Sequence, residues 1–476
     1  MRYALYVLLG LLVMLVVVLI FGAVRLKKKP AEAHEAFHID LDETAALDHF
    51  ARALRLRTVW PRQGEIDYAQ FDAFLPLLRE LYPALFAVLE VNIVNRYGLL
   101  LKWKGQSAEK PVVLMAHYDV VAADKSKWSC DPFCGEVRDG KVWGRGSVDT
   151  KCIITAVLEA GEGLAKQGYT PQNDVWFSFG NNEETGGDTV PAIVDWLEQH
   201  GVKPWLVLDE GGAVVSSPAL GVKGDFAMIG VSEKGVCDTI LTLNGVPGHS
   251  STPRDSDATT RLIQAVDAIQ THPFPAKLSA PVREMLCKIA GYASFPLRLV
   301  FGNLWLFKPL VLKIMKGNAE TGAMIRSTVA LTKLEGSDTI NVIPNRAVAG
   351  FSVRVATWDD PEDLLAKIKA RAGEHAAVTS EYTVYPSPVS PTDSDAFRLL
   401  ETTIDAVYPG VPAIPYVMTG GTDSKHFTRI CNNVYRFGAF RFTEEERAGM
   451  HGNDENLSVR SYLDGIQFYY KLLQSI

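Results

Sequence analysis

His117 and Asp119 stand two residues apart at the end of the apolar run VLMAHYDVV, residues Val113 to Val121. Strand side chains alternate faces, so the two project to the same side, and the carboxylate can steady the imidazole while its other nitrogen binds a metal ion. Similar groups stand at other strand ends, Asp149 in GRGSVDTK, Glu183 and Glu184 in GNNEETGG, and Asp209 in LVLDEGG, and a fifth element, MHGNDENL, brings His451. Each alone has a bland explanation. His117 could end a strand before a turn at Asp119, Asp149 could cap a helix starting near Lys151, and Asp209-Glu210 could sit in a turn before Gly211-Gly212. Their joint placement on successive strand exits is harder to dismiss. Two histidines and three carboxylates are what a pair of borderline divalent ions needs, with one carboxylate bridging and one imidazole plus one carboxylate for each ion. In extended backbone Glu183 and Glu184 would face opposite ways, so that one ligates and the other points into a cleft as a base.

Strands must deliver these groups, and the sequence supplies them. GLLLKWKG, PVVLMAHYD, DVWFSFGNNEE and PWLVLDEGG read as strands, with helices from Cys152 to Gln167 and from Val190 to Gln199 between them. That alternation predicts an α/β layered domain with a mostly parallel sheet, whose sites gather at the carboxyl ends of strands. From about Gly235 the pattern changes to long alternating strands with two helices, Asp257 to Gln270 and Pro361 to Arg371, as in an α+β unit with helices on one face of an antiparallel sheet. The α/β character returns near Asp395, so the α+β unit reads as an insertion. Inside it, Pro296 to Met315 is unusually apolar but is interrupted by Arg298, Lys308 and Lys313 and broken by Pro309. It reads as a buried hairpin of helices, with a membrane-dipping or acyl-binding surface as the lesser alternative.

The chain has 476 residues and is 47% hydrophobic and 22% charged, enough ordinary globular material for two or more cores. A net charge of −7 lacks the basic footprint of nucleic-acid binding. Six cysteines without a Cys-x-x-Cys pair offer neither a disulfide scaffold nor a structural zinc site. The start departs from this composition. Tyr3 to Val24 gives 22 residues without a charge, bounded by Arg2 and by RLKKK at Arg25 to Lys29. At about 1.5 Å per residue this spans a hydrocarbon core of about 30 Å. Ala31 to Ala33 has the small-x-small look of a signal cleavage site, but the run exceeds a signal h-region of about 7–15 residues, which favours a retained anchor. The positive-inside rule, taken literally, leaves the large domain on the cytoplasmic side.

MAHYDVV, WGRGSVDTK, NNEETGG, VLDEGG, PGHSS, NVIPNRAVAGFSVR, GGTDS and HGNDENL occur in one order along the chain. In these motifs the sequence resembles the M20 family of metal-dependent peptidases and amidohydrolases from about residue 45 to the end, most like its carboxypeptidase S and N-fatty-acyl-amino-acid synthase/hydrolase branch. The apolar run sets a membrane anchor over 1–29, with a linker over 30–44 after it, and the resemblance implies a di-zinc catalytic domain in two parts, 45–234 and 389–476, and an inserted lid over 235–388 of the kind that dimerises in relatives. It implies two Zn²⁺ per subunit, with Co²⁺ or Mn²⁺ as alternatives. Asp149 would bridge, His117 and Asp209 would complete one ion's ligands, and Glu184 and His451 the other's. Asp119 would orient His117, and Glu183 would be the general base. His249 in PGHSS matches a lid histidine that polarises the scissile carbonyl, reaching the partner's site in dimeric relatives. Asn341 and Arg354 match lid residues near the substrate, and Gly420, Gly421 and Thr422 match a loop that receives its carboxylate. The pattern departs at Thr150, where relatives commonly carry an acidic or amide residue, which leaves open whether the cis peptide that often supports the bridge forms here. The implied activity is hydrolysis of the amide bond next to an amino acid with a free carboxylate, in a peptide or an N-acyl amino acid. A deacetylase or aminopeptidase of the same fold and a non-enzymatic metal-binding membrane protein are the competing readings.

Overall fold

A computed structural model describes residues 2–27, 34–61, 63–216, 221–254 and 256–476. The cleavage-site candidate at Ala31 to Ala33 lies outside the described residues. The chain divides into two compact units. One comprises Lys28–Val231, Ser390–Tyr416 and Thr422–Ile476, and the other Met1–Lys27, Ser232–Val389 and Val417–Gly421.

The first unit is built on a ten-stranded mixed sheet. Its centre is parallel: Asn173–Gly180, Ser107–His117, Leu206–Asp209 and Val434–Arg436 lie side by side in that order. Antiparallel strands extend it on both flanks, with Leu89–Val94 and Gly98–Trp103 on one and Asp225–Glu233 and Ala213–Ser216 on the other. The central strands are apolar almost throughout because both faces are covered. Along Ser107–His117, Val112, Leu114 and Ala116 enter the core against helices Lys151–Lys166 and Val459–Ser475, whereas Val113 and Met115 pack with Ile193, Val194 and Leu197 of helix Thr189–Gln199. Strand Asp225–Glu233 was not expected from the sequence; lying between Gly224 and Lys234-Gly235, it lacks the adjoining helical pattern that marks the parallel strands.

The second unit holds a four-stranded antiparallel sheet in the order Thr328–Glu335, Arg346–Val355, Gly235–Asn244, Ala377–Val384. Side chains of Gly235–Asn244 alternate between buried and half-buried, as expected for a sheet with one covered face. Leu241, Leu243, Phe351 and Val353 form that face, against Leu262 and Ile269 of helix Ala258–Gln270 and Leu364 and Ile368 of helix Pro361–Ala372. Asp257 and Asp360 cap these helices by accepting hydrogen bonds from backbone N–H groups of their first turns.

Two expectations for 296–315 are corrected. The segment does fold as a helical hairpin, Phe295–Phe301 and Leu304–Lys316, bent by 106°. It is buried only in part: Phe301, Val311 and Met315 are covered, but Trp305, Leu306, Leu310 and Ile314 are exposed. Pro309 does not break it, because helix Leu304–Lys316 runs through that residue and the bend falls at Gly302-Asn303. The N-terminal helix Arg2–Arg25 is apolar between its terminal arginines and exposed except at Gly22 and Ala23, which are buried, and Leu19, which is half-buried.

Lys234 is buried in the second unit, its Nζ donating to the backbone oxygens of Ala323 and Arg326 at 3.0 and 2.9 Å. Burial, with the charges of Arg354 and Arg326 adding, lowers its pKa to about 7. A base whose folded pKa lies below its unfolded value binds fewer protons folded than unfolded, so its contribution to stability rises with pH between the two. Urea titrations should therefore show stability rising from about pH 7 towards pH 10 more steeply in the wild type than in Lys234→Met.

Candidate metal centre

The carboxyl ends of the central parallel strands and two loops of the first unit converge on one cluster. His117 closes strand Ser107–His117. Its Nδ1 faces Asp119, 2.9 Å from the backbone oxygen and 3.3 Å from Oδ1, which leaves Nε2 to face the cluster. That Nε2 lies 3.0 Å from Asp149 Oδ1 and 3.4 Å from Glu210 Oε1. The other oxygen of Asp149, Oδ2, lies 2.9 Å from Nε2 of His451, and the same nitrogen is 3.1 Å from Glu184 Oε2. One carboxylate thus stands between two imidazoles, each with its own glutamate. Ligand atoms of His117, Asp149 and Glu184 lie within 4.8 Å of one another, as do those of His117, Glu183 and Glu210.

Asp119, fully buried, also fixes the glutamate pair: its Oδ1 and Oδ2 accept hydrogen bonds from the N–H groups of Glu183 and Glu184 at 3.2 and 3.1 Å. The pair does not sit in extended backbone as expected but in the 3₁₀ turn Glu183–Thr185. The side chains still diverge, Glu184 towards His451 and Glu183 towards His117 and Glu210. Gly186 ends the turn with φ 66, a left-handed conformation open to glycine at little cost. The peptide bond between Asp149 and Thr150 is cis, Thr150 notwithstanding, and the Thr150 hydroxyl donates to the backbone oxygen of His117 at 3.1 Å.

Asp209 has a partner other than the one expected. It is the last residue of strand Leu206–Asp209, and its Oδ2 accepts from the N–H of Ser424 at 3.0 Å. Glu210, the next residue, faces His117, with a longer side chain. In the sequence the adjacent acids of LVLDEGG are equivalent until it is known where the strand stops.

The charges in this space strongly perturb one another. Burial raises the Glu210 carboxyl to about 8, helped by the Asp149 charge and opposed by His117. Burial likewise holds Glu183 well above the carboxylate range, against the pull of His117. For Asp149, burial pushes upward, but the hydrogen bonds of His117 and His451 outweigh it and keep the group well below its ordinary value. His451, hydrogen-bonded to Asp149 and Glu184, is raised to about 10.

Glu455 is a positioning residue that sequence reasoning missed, although it stands four places after His451 in the same motif. Fully buried, it accepts from the Arg145 guanidinium at 2.6 Å and from the N–H groups of Gly146, Val148 and Asp149 at 3.1, 2.7 and 3.1 Å. The loop carrying Asp149 is therefore wrapped around a carboxylate from the far end of the chain. Glu455→Ala would strand the buried Arg145 charge and should lower stability by about 3–5 kcal/mol in urea unfolding, far more than removing a surface ion pair.

The remaining sequence candidates belong mainly to the second unit. His249 is exposed, and its Nδ1 is 2.8 Å from Ser251 Oγ. Pairing of Gly248–His249 with Val342–Ile343 brings Asn341 beside it, the Asn341 backbone oxygen accepting from Ser250 at 3.1 Å. Arg354 lies half-buried on strand Arg346–Val355. Gly420 and Gly421 fall in this unit, whereas Thr422, in the first unit, caps the turn Asp423–Arg429 by accepting from Ser424.

Residues 113–475 match the family model described as Peptidase family M20/M25/M40. The chain is 31% identical over 486 residues to a "Probable carboxypeptidase S-like 2" of Dictyostelium discoideum, covering 98% of this chain and 93% of that protein. It is 32% identical over 430 residues to the "N-fatty-acyl-amino acid synthase/hydrolase PM20D1" of Xenopus tropicalis, covering 89% and 84%. Among solved structures, the M20 family metallo-carboxypeptidase Sso-CP2 from Sulfolobus solfataricus shares the fold with a TM-score of 0.67 at 19% identity, over 92% of this chain and 99% of that one. A match over most of the chain, carrying with it the strand exits that hold the cluster, makes this protein a member of peptidase family M20/M25/M40 and a hydrolase of amide bonds.

Proposed function

We propose that the protein is a membrane-anchored, dinuclear metal-dependent hydrolase that cleaves the amide bond next to an amino acid with a free carboxylate. The observation that carries this reading is Asp149, whose two oxygens face different imidazoles at 3.0 and 2.9 Å. Five carboxylates, those of Asp119, Asp149, Glu183, Glu184 and Glu210, crowd two imidazoles. Like charges so close in a desolvated space repel unless cations lie among them. The donor set, imidazole nitrogen and carboxylate oxygen on each side of a shared carboxylate, suits zinc, with cobalt or manganese also compatible. His117, Asp149 and Glu210 would hold one ion, and His451, Asp149 and Glu184 the other. Bound there, the ions would supply a water acidic enough to attack at neutral pH.

The chain's own groups supply the rest. Asp119 keeps His117 Nδ1 engaged, so that its Nε2 faces the shared carboxylate. Glu183 stands clear of the His451 side and is the base: it takes the proton of the attacking water and returns it to the departing amine. The exposed imidazole of His249 is suited to polarising a carbonyl, and the guanidinium of Arg354 to forking a carboxylate, with Asn341, Gly420, Gly421 and Thr422 assisting. The names of the relatives, a carboxypeptidase S-like protein and an N-fatty-acyl-amino acid synthase/hydrolase, support a substrate of the form acyl–NH–CHR–COO⁻. Dimerisation through the second unit belongs to the same reading. Attachment to the membrane rests on Tyr3 to Val24, which is long and apolar enough to cross one.

Elemental analysis paired with turnover of an N-acyl amino acid tests the assignments. Glu183→Gln should keep both metals and lose about 10²–10⁴-fold in turnover, as expected of a lost general base. Glu210→Gln should lose metal first and regain activity in excess zinc, while Asp209→Asn keeps its metal. One tightly held ion in the wild type would defeat the paired centre, and metal loss from Asp209→Asn but not Glu210→Gln would return the ligand role to Asp209.

A further inference from the structure

Helix Leu304–Lys316 leaves an apolar stripe exposed. Leu306, Leu310 and Ile314 follow one another at four-residue steps along one face and are 41%, 45% and 52% exposed, beside Trp305 at 63%. Its other side, Val311 and Met315, is buried in the unit.

The hairpin is clasped to the apolar N-terminal helix. Asn303, at the bend, is 1% exposed, and its Nδ2 donates to the backbone oxygen of Leu19 at 2.9 Å as well as to that of Leu299 at 2.8 Å. Glycines allow the approach: a Cβ at Gly302 would meet the Gly22 oxygen at 2.4 Å, and one at Gly22 the Asn303 amide at 2.5 Å. A small-residue contact reinforced by one satisfied amide is how helices associate where water is absent.

Position along the N-terminal helix sets a depth. Arg25 is the first charge after the apolar run and marks the headgroup level. Leu19 precedes it by six residues, which at about 1.5 Å per residue places the bend of the hairpin about 9 Å below that level. This matches the depth of about 5–10 Å at which interfacial helices lie. From Ser294 to Asn318 the only charged residues are Arg298, Lys308, Lys313 and Lys316, all basic, as suits phosphate headgroups around an apolar stripe.

We propose that Phe295–Lys316 is a re-entrant hairpin whose exposed stripe is covered by the bilayer leaflet that the N-terminal helix leaves at Arg25. The proposal rests on Tyr3 to Val24 spanning the membrane. An acyl chain would need a groove, whereas this is the outer face of a helix, and continuity with the anchor favours lipid over a second copy.

The full chain in phosphatidylcholine–phosphatidylserine vesicles, with lipids brominated on upper acyl carbons, provides the test. The contribution of Trp305, one of nine tryptophans, is the difference between the wild type and Trp305→Phe. Vesicle sedimentation after alkaline carbonate reports the anchor separately. The expected result is carbonate-resistant sedimentation with Trp305 emission reduced about twofold or more by bromine, a loss abolished in the Leu306→Glu, Leu310→Glu, Ile314→Glu triple variant. Sedimentation with unchanged Trp305 emission overturns the hairpin proposal and leaves the anchor standing. Release by carbonate overturns the anchor and the hairpin with it. Trp305 shielded from bromine in chains that cross-link to one another assigns the stripe to a second copy and also overturns it.

Discussion

The mutual repulsion of buried carboxylates governs this protein. Asp119, Asp149, Glu183, Glu184 and Glu210 are drawn together at the edge of one sheet, where burial alone pushes Glu183 and Glu210 towards their neutral forms. Such a cluster persists only if positive charge is built into it and if the backbone holds each carboxylate against its neighbours. Both devices are present. Two imidazoles flank Asp149, and backbone N–H groups engage Asp119 and Glu455 directly behind the cluster. The parallel strands serve this end, since only strands running side by side in one direction present several carboxyl ends at the same edge.

Most of the cluster was legible from residue types and spacing. His117, Asp119, Asp149, Glu184 and His451 come together in the structure, because strand exits can be read from apolar runs followed by glycine and acid. The approach of Glu210 to His117 was not legible. It depends on which residue ends the strand, and boundaries are the least readable feature of a sequence. The turn at Glu183–Thr185 escaped for a related reason: local sequence announces that a strand stops before two glycines, but the Asp119 carboxylate that accepts the turn's N–H groups lies 64 and 65 residues away.

Fold class followed from periodicity, and its failures are instructive. Strand Asp225–Glu233, on one antiparallel flank of the large sheet, stands between two other strands and so lacks the strand–helix rhythm that identifies a parallel strand. The hairpin at 295–316 was read as buried because apolar residues usually are. Composition does not say which phase covers an apolar face, and protein and lipid are equally good candidates until geometry intervenes. Pro309 was read as a break, yet the helix bends at Gly302-Asn303, where an amide side chain takes over the hydrogen bonding of the freed backbone.

The grip of Glu455 on the Asp149 loop has a bearing on how the protein is made. The carboxylate and the N–H of Asp149 it holds are 306 residues apart. At a translation rate of about 5–20 residues per second, the ribosome needs on the order of 15–60 s between the two. From the synthesis of Glu210 onward the acidic residues of three strand exits exist in the nascent chain, while the loop that carries Asp149 still lacks its template and the second imidazole has not been synthesised. The centre is therefore completed only once His451 and Glu455 have emerged, and a chain interrupted before them retains most of the sheet-forming sequence without the means to close the site.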